Sequence, residues 1–400
     1  MELTAPEKVG FSSERLQRLN SFMQGYVDDG KLAGIVTLIA RKGEVFHHES
    51  FGKMSNETGV DMNTDAIFRI YSMSKPITSV ALMSLHEQGM FQLDDPISAY
   101  IPELGNMTVA TGWGQTGPIL EAAKSEITIR QVLSHTAGFS YGNHKDSPVE
   151  QMYKDAEVTS KTTDLKAMTK LLGDLPLLYH PGTNWRYSVA TDVAGALVEV
   201  LSGQTLDRYF SETIFEPLGM TDTAFYVPED KLTRLPAVYG PPESGSGPLK
   251  ELDIPYNKRP VRLSGGGGLV GTSEDYSRFC QMMVNGGSLN GTRILGPMTV
   301  DLMTQSHLPD EVKTFVLSEG RSDYTKGCGF GLGFRIIEDV AKNGIAGSPG
   351  SYSWGGAAST YFWIDPVEDM YAIFMTQLLP SGHYPIRAEF QMMVYQALVD

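Results

Sequence analysis

Cysteine is nearly absent: 400 residues hold only Cys280 and Cys328. Two unpatterned thiols supply neither a disulfide framework nor the spacing of a zinc site. Positive charge is also short. Lys plus Arg number 32 against 47 Asp plus Glu, a formal net charge of −15. Such a surface disfavours polyanions, so neither nucleic acid nor an anionic membrane is expected as a partner. No apolar run reaches the ~18 residues of a membrane span. The opening segment, Met1 to Glu7, has no basic start followed by an apolar core, so no signal peptide is read there and a cytoplasmic protein is expected. The eight histidines are scattered and no H-E-x-x-H occurs, so no metal and no cofactor is expected. The remainder is ordinary, with 41% hydrophobic and 20% charged residues. That is enough to bury a large core in one or two domains.

Hydrophobic periodicity supplies the architecture. From Ser13 to Val27 the apolar residues Leu16, Leu19, Phe22, Met23 and Tyr26 predict an amphipathic helix behind a serine cap. Gly34 to Ala40 reads as a buried strand that turns into a second, Val45 to His48. The adjacent His47 and His48 then face opposite ways, which excludes a shared metal. Gly- and Thr-rich Asn106 to Lys124 reads as an irregular loop and Pro241 to Pro260 as a surface excursion, both expected to shape the mouth of a pocket. Strands return at Gly329 to Ile337, Thr360 to Ile364 and Tyr371 to Met375, before a last helix opened by Pro385. With strands at both ends and helices between, the chain predicts an α+β fold. Its central antiparallel sheet is formed by both chain ends with flanking helices (residues 1–65 and 290–400), and a mainly helical domain (66–289) is inserted. The termini should lie close together.

One stretch carries chemistry. Ser72-Met73-Ser74-Lys75 fits S-x-x-K, and Ile77, Val80, Ala81 and Leu85 follow at helical spacing until Gly89. Pro76 is tolerated because first-turn N–H groups lack intrahelical partners. Positions i and i+3 share a helix face, which sets the Lys75 amine beside the Ser72 hydroxyl. A serine hydroxyl needs such a neighbour to take its proton before it can attack. Two look-alikes fail on context. Ser50-Phe51-Gly52-Lys53 follows a strand and opens no helix. Gly138-Phe139-Ser140-Tyr141-Gly142 matches a G-x-S-x-G elbow, which requires a preceding strand and a following helix. Here a helix end precedes it, and Asn143 to Pro148 is read as unable to open a helix. The run Gly265 to Gly268 lacks a following G-K-[ST] and is read as close packing before a capped helix rather than a phosphate loop.

Taken with Leu133-Ser134-His135-Thr136-Ala137-Gly138, Pro181-Gly182, Tyr187-Ser188-Val189 and Trp354-Gly355-Gly356, these motifs give a chain that resembles the serine β-lactamase-like superfamily. The nearest resemblance is to the family VIII carboxylesterases, relatives of class C β-lactamases, over essentially the whole chain. The resemblance implies a β-lactamase-like fold with the active site in the cleft between its two domains. It assigns Ser72 as nucleophile, Lys75 as its basic partner and Tyr187 as the third catalytic member, with base duty in acylation open between the last two. The backbone N–H groups of Ser72 and Ala357 would form the oxyanion hole. Val189, Trp354, Gly355 and Gly356 would contact substrate, the glycines letting it approach the strand edge.

Two departures from class C β-lactamases bear on specificity. Val189 stands where they carry an amide, and Trp354 stands where they carry a lysine. Both changes favour neutral, apolar acyl esters over anionic lactams. His135 is read as structural. The implied function is hydrolysis of short-chain acyl esters, small molecules, through a Ser72 acyl-enzyme, with weak β-lactam hydrolysis as a side reaction. An acyltransferase or a D-amino-acid or cell-wall peptidase would use the same machinery. A non-catalytic scaffold is opposed by the retention of serine, lysine and tyrosine together. The oligomeric state is not set by the sequence.

Overall fold

The computed structural model describes residues 2–115, 117–144, 147–242, 247–312 and 325–400. Helix α1 (Ser13–Asp28) starts where the Ser12 hydroxyl accepts from the Arg15 N–H. Strand β1 (Gly34–Arg41) follows and is buried along its whole length. Its two faces serve different cores. Ile35 and Ile39 pack with Leu16, Leu19 and Met23 of α1, whereas Val36, Leu38 and Ala40 join the larger cluster on the other side. An antiparallel strand covered on both faces has no need to alternate apolar with polar, which explains a run from Gly34 to Ala40 interrupted only by Thr37.

The remaining elements follow in order: β2 (Glu44–Gly52), α2 (Ser74–Glu87), β3 (Thr108–Gly114), β4 (Gly117–Ala122), α3 (Ala190–Ser202), α4 (Ser273–Val284), β5 (Cys328–Phe330), β6 (Arg335–Ile337), β7 (Tyr352–Gly355), β8 (Tyr361–Asp365), β9 (Met370–Met375) and α5 (Ile386–Tyr395). Among the described residues the main sheet has seven strands in the order β5-β6-β7-β8-β9-β1-β2. All its pairs are antiparallel. Strands β1 and β9 zip together from Val36↔Met375 to Arg41↔Met370, so both ends of the chain build one sheet. The termini meet as well: the Ser12 N–H donates to Ala397 O and the Val399 N–H to Gly10 O, each at 2.9 Å. Phe390 and Val394 of α5 lie beside α1 under the sheet. Every residue of α2 from Ser74 to Leu85 is buried, so this helix is enclosed all round rather than amphipathic. No helix among the described residues is long and apolar enough to cross a membrane.

Three expectations need correction. Residues 106–124 contain a hairpin, β3 with β4, rather than an irregular loop. Its glycines hid the strand alternation, and the pairing slips between Ala110 and Gly112. The expected strand Gly329–Ile337 is two strands, β5 and β6, paired with each other. The Gly-rich link between them turns the chain, and Gly333 takes φ +96°. Ser147 and Pro148 do open a helix, Pro148–Asp155, because the Ser147 hydroxyl accepts from the Val149 N–H and Pro occupies the first turn.

Buried histidines predict acid lability. His47 Nε2 shares a 2.7 Å hydrogen bond with Thr37 Oγ1, and burial lowers the ring from its ordinary 6.5 to about 3. Burial also lowers His48 and His135. The unfolded chain protonates these rings near 6.5, whereas the folded chain resists. The contribution of His47 is therefore fully present above about pH 6.5 and is lost as pH falls toward 3, by up to about 1.4 kcal/mol per pH unit, and His48 and His135 act in the same direction. Thermal melts should show Tm falling steadily from about pH 7 to pH 5, with a shallower fall in His47→Gln. A flat Tm across that window would refute the assignment.

Candidate active site

Ser72 lies just ahead of α2, in a 3₁₀ turn formed by Tyr71–Met73. The turn depends on Tyr71, whose φ of +44° is left-handed and costs roughly 1 kcal/mol for a non-glycine residue. Surrounding bonds hold it there. The Ser74 hydroxyl donates to Tyr71 O at 2.6 Å and accepts from the Leu269 N–H at 3.1 Å. The Ile70 N–H donates to Leu269 O at 3.1 Å. Ser72 thereby faces a cavity of about 390 Å³ whose walls include Tyr71, Tyr141, Tyr187, Gly266 and Ala357.

Lys75 is fully buried. Its Nζ lies 3.5 Å from Ser72 Oγ and donates to Tyr141 OH at 2.9 Å and to Gly266 O at 2.5 Å. A buried amine needs such acceptors, because an unpaired one would carry the full desolvation cost. Asp192, in the first turn of α3, keeps the Gly266 carbonyl in place by accepting from Ser264 Oγ at 2.6 Å and from the Gly266 N–H at 3.3 Å. A Cβ at Gly266 would sit 2.7 Å from Asp192 Oδ2 and 3.3 Å from Lys75 Nζ. Close packing therefore accounts for the glycine run, and Thr272 caps the helix that follows.

Two tyrosines close the cluster. The Tyr187 ring lies under Lys75 Nζ, 4.6 Å from its centroid, and its hydroxyl accepts from Trp354 Nε1 at 3.4 Å. The Tyr141 ring is 5.4 Å from that of Tyr187. Burial, and then the neighbouring Tyr187 and Asp192, push the Tyr141 phenol well above its ordinary value. Tyr141 therefore keeps its proton and can donate it within the cluster. His135 is buried with φ +58°. Burial first, and the Lys75 charge second, hold it neutral, and its ring packs 5.1 Å from that of Tyr187 as a platform. A buried Glu150 carboxylate 3.2 Å from the Arg186 guanidinium braces the turn that carries Tyr187.

Ala357 lines the cavity with Ser72. Arg387 of α5 donates to Gly356 O at 2.5 Å and to Thr360 O at 2.9 Å. In a trans peptide the C=O and the following N–H point oppositely, so gripping Gly356 O turns the Ala357 N–H away from Arg387. Arg387 thus orients the Ala357 amide, the expected oxyanion donor. Arg387→Met is expected to lower kcat for an ester about tenfold with KM little changed, a fraction of what loss of the whole donor costs. A raised KM at unchanged kcat would contradict this role.

The expected substrate contacts are rearranged. Val189 is fully buried in the core, where it precedes α3, and is not part of the cavity wall. A Cβ at Gly355 would lie 2.6 Å from Arg387, and one at Gly356 would lie 2.5 Å from Ile70 O. These glycines answer to packing against α5 and the nucleophile turn. Trp354 is buried and acts on the Tyr187 hydroxyl. The segment 241–260 does reach the cavity through Pro255, Tyr256, Lys258 and Pro260, whereas no described residue of the β3–β4 hairpin lines it. Tyr141, Asp192 and Arg387 escaped the sequence reading. Tyr141 stood inside the rejected elbow, where Ser140 is indeed buried, and the two others carry no motif signal.

A serine in a held turn, with a buried lysine and two tyrosines converging on it, defines an acyl-transfer centre on a β-lactamase fold, the arrangement of a serine hydrolase. The chain belongs to the Beta-lactamase family, whose model matches residues 19–395. It is 33% identical to Protein Rv1367c of Mycobacterium tuberculosis over 359 residues, covering 88% of each chain. It is 26% identical to Esterase EstB of Burkholderia gladioli over 386 residues, covering 91% of each. Among solved structures it resembles EstCE1, described as a hydrolase with promiscuous acyltransferase activity. The TM-score is 0.79 at 26% identity, covering 95% of this chain and 98% of that one.

Proposed function

We propose that the protein is a serine carboxylesterase acting on short-chain acyl esters, with Ser72, Lys75 and Tyr187 as catalytic residues. Ser72 Oγ attacks the ester carbonyl while the Lys75–tyrosine cluster takes its proton. The same cluster returns the proton to the departing alkoxide, and water then releases the acyl group from Ser72. The N–H groups of Ser72 and Ala357 would hold the oxyanion. The observation that carries this reading is Lys75 Nζ, which reaches Ser72 Oγ and Tyr141 OH together. Similarity to EstB supports an ester as substrate.

Trp354 bears against lactamase activity. Its indole N–H is engaged with Tyr187, and no cation occupies its place to receive a lactam carboxylate. Hydrolysis of p-nitrophenyl butyrate beside nitrocefin tests the reading. The ester should be favoured by at least about a hundredfold in kcat/KM. Nitrocefin turned over as fast as the ester would overturn it. Transfer to an added alcohol is a second reading, favoured by the acyltransferase activity named for EstCE1. Product partition with competing alcohols measures it.

A further inference from the structure

We propose that the far end of the cavity is a carboxylate subsite in which Lys161 and Lys258 hold an anionic group of the substrate. The substrate is then an ester carrying a carboxylate several bonds from its reacting carbonyl. This rests on the esterase reading above and narrows it.

Both lysines line the cavity that Ser72 opens into. Both side chains are exposed at the cavity, in a chain of net charge −15, and neither lysine forms an ion pair with a described residue. Asp192, the one carboxylate among the described wall residues, is already occupied by Ser264 and Gly266. The lysines stand on segments that are tied down. Buried Arg262 donates to Val158 O at 2.5 Å and to Thr163 Oγ1 at 2.8 Å, pinning both sides of Lys161. Buried Arg69 donates twice to Ile254 O, at 2.7 and 3.0 Å, and the Val227 N–H donates to Tyr256 O at 2.7 Å. Those bonds fix the approach to Lys258. Pinned segments present charge without the ordering cost a floppy loop would add.

An aromatic wall connects this end to the nucleophile. Tyr71, next to Ser72, meets Tyr256 edge-on at 6.5 Å between centroids, and Lys161 Nζ lies 5.5 Å from the Tyr256 centroid. A substrate laid along that wall has its ester at Ser72 and its far end at the lysines. The walls beside the reacting carbonyl are aromatic, so the chain between ester and carboxylate can be apolar. The preference for a neutral group near Ser72 and for an anion at the mouth are therefore compatible.

The test compares wild type with Lys161→Gln/Lys258→Gln on two pairs of esters. On the acyl side p-nitrophenyl hydrogen adipate is set against p-nitrophenyl butyrate. On the alcohol side 4-acetoxybenzoate is set against phenyl acetate. At least one anionic ester should lose about tenfold in kcat/KM in the double variant, mainly through KM, while neutral esters stay within about twofold. The difference should shrink in about 0.5 M sodium chloride, where exposed pairs are screened. Both anionic esters keeping their wild-type ratio to the neutral ones would overturn the proposal. A readout independent of turnover separates it from the esterase reading. Adipate should slow fluorophosphonate labelling of Ser72 in wild type and not in the double variant, and equal protection of both would overturn the subsite. Absence of all ester turnover, with labelling intact, would instead sink the esterase reading.

Discussion

Ser72→Ala is expected to lower hydrolysis of p-nitrophenyl butyrate by at least about a thousandfold and to abolish labelling by a fluorophosphonate. The reason is covalent: without Oγ there is no acyl-enzyme, and only oxyanion stabilisation and binding remain. The protein should stay folded, since the hydroxyl's neighbour Lys75 keeps its bonds to Tyr141 and to the Gly266 carbonyl. An unchanged Tm with lost turnover is therefore the expected pair of results. Equal activity in wild type and Ser72→Ala would mean another nucleophile does the work. Ser140 is a poor candidate for that role, because it is buried and its Oγ accepts from the Gly142 N–H.

The second large effect concerns the proton cluster. Lys75→Met is expected to lower kcat by about a thousandfold, because a general base contributes on the order of a hundred- to ten-thousandfold. Methionine roughly fills the volume but leaves the Gly266 carbonyl unpaired, so a stability loss of about 1–3 kcal/mol should accompany it. Tyr187→Phe and Tyr141→Phe should each lower kcat about a hundredfold with KM nearly unchanged, and their double variant should fall far short of the product of the two losses. Non-additivity is expected because the two tyrosines belong to one cluster: Lys75 Nζ bonds Tyr141 OH and lies over the Tyr187 ring, and Tyr187 in turn acts on the Tyr141 phenol. Near wild-type activity in Tyr141→Phe would reduce that residue to a wall of the cavity.

The sequence resolved what repeats locally. The Ser72–Lys75 spacing is a property of a single turn, and the apolar run after it specifies a buried helix in any context. The strands near both chain ends were legible from their apolar runs and the turns between them, and so was the sheet they share. Glycine misled at two places. The β3–β4 hairpin was masked by Gly112, Gly114 and Gly117, and the link between β5 and β6 was absorbed into one strand. In each case glycine removed the side chain that would have shown the alternation.

The function of the glycines at 355 and 356 was legible as a need for closeness, but not what comes close. Substrate was the expectation, whereas the structure brings Arg387 and Ile70 there. Val189 shows the same limit. Its position after Tyr187 suggested a contact with substrate, yet the start of α3 turns it into the core.

By itself, then, the sequence set the Ser72–Lys75 pair on one turn and the distribution of strands and helices, carried by short-range spacing and periodicity, while the expectation at Tyr187 came from the family resemblance. Only the tertiary structure decided which groups satisfy that lysine: Tyr141 OH and Gly266 O come from 66 and 191 positions away in the chain. It also decided that Asp192 holds the Gly266 carbonyl, that Arg387 orients the Ala357 amide and that two lysines line the cavity. A buried amine must find acceptors wherever packing brings them. Contacts between distant segments have no period, so they leave no trace in one chain read from end to end.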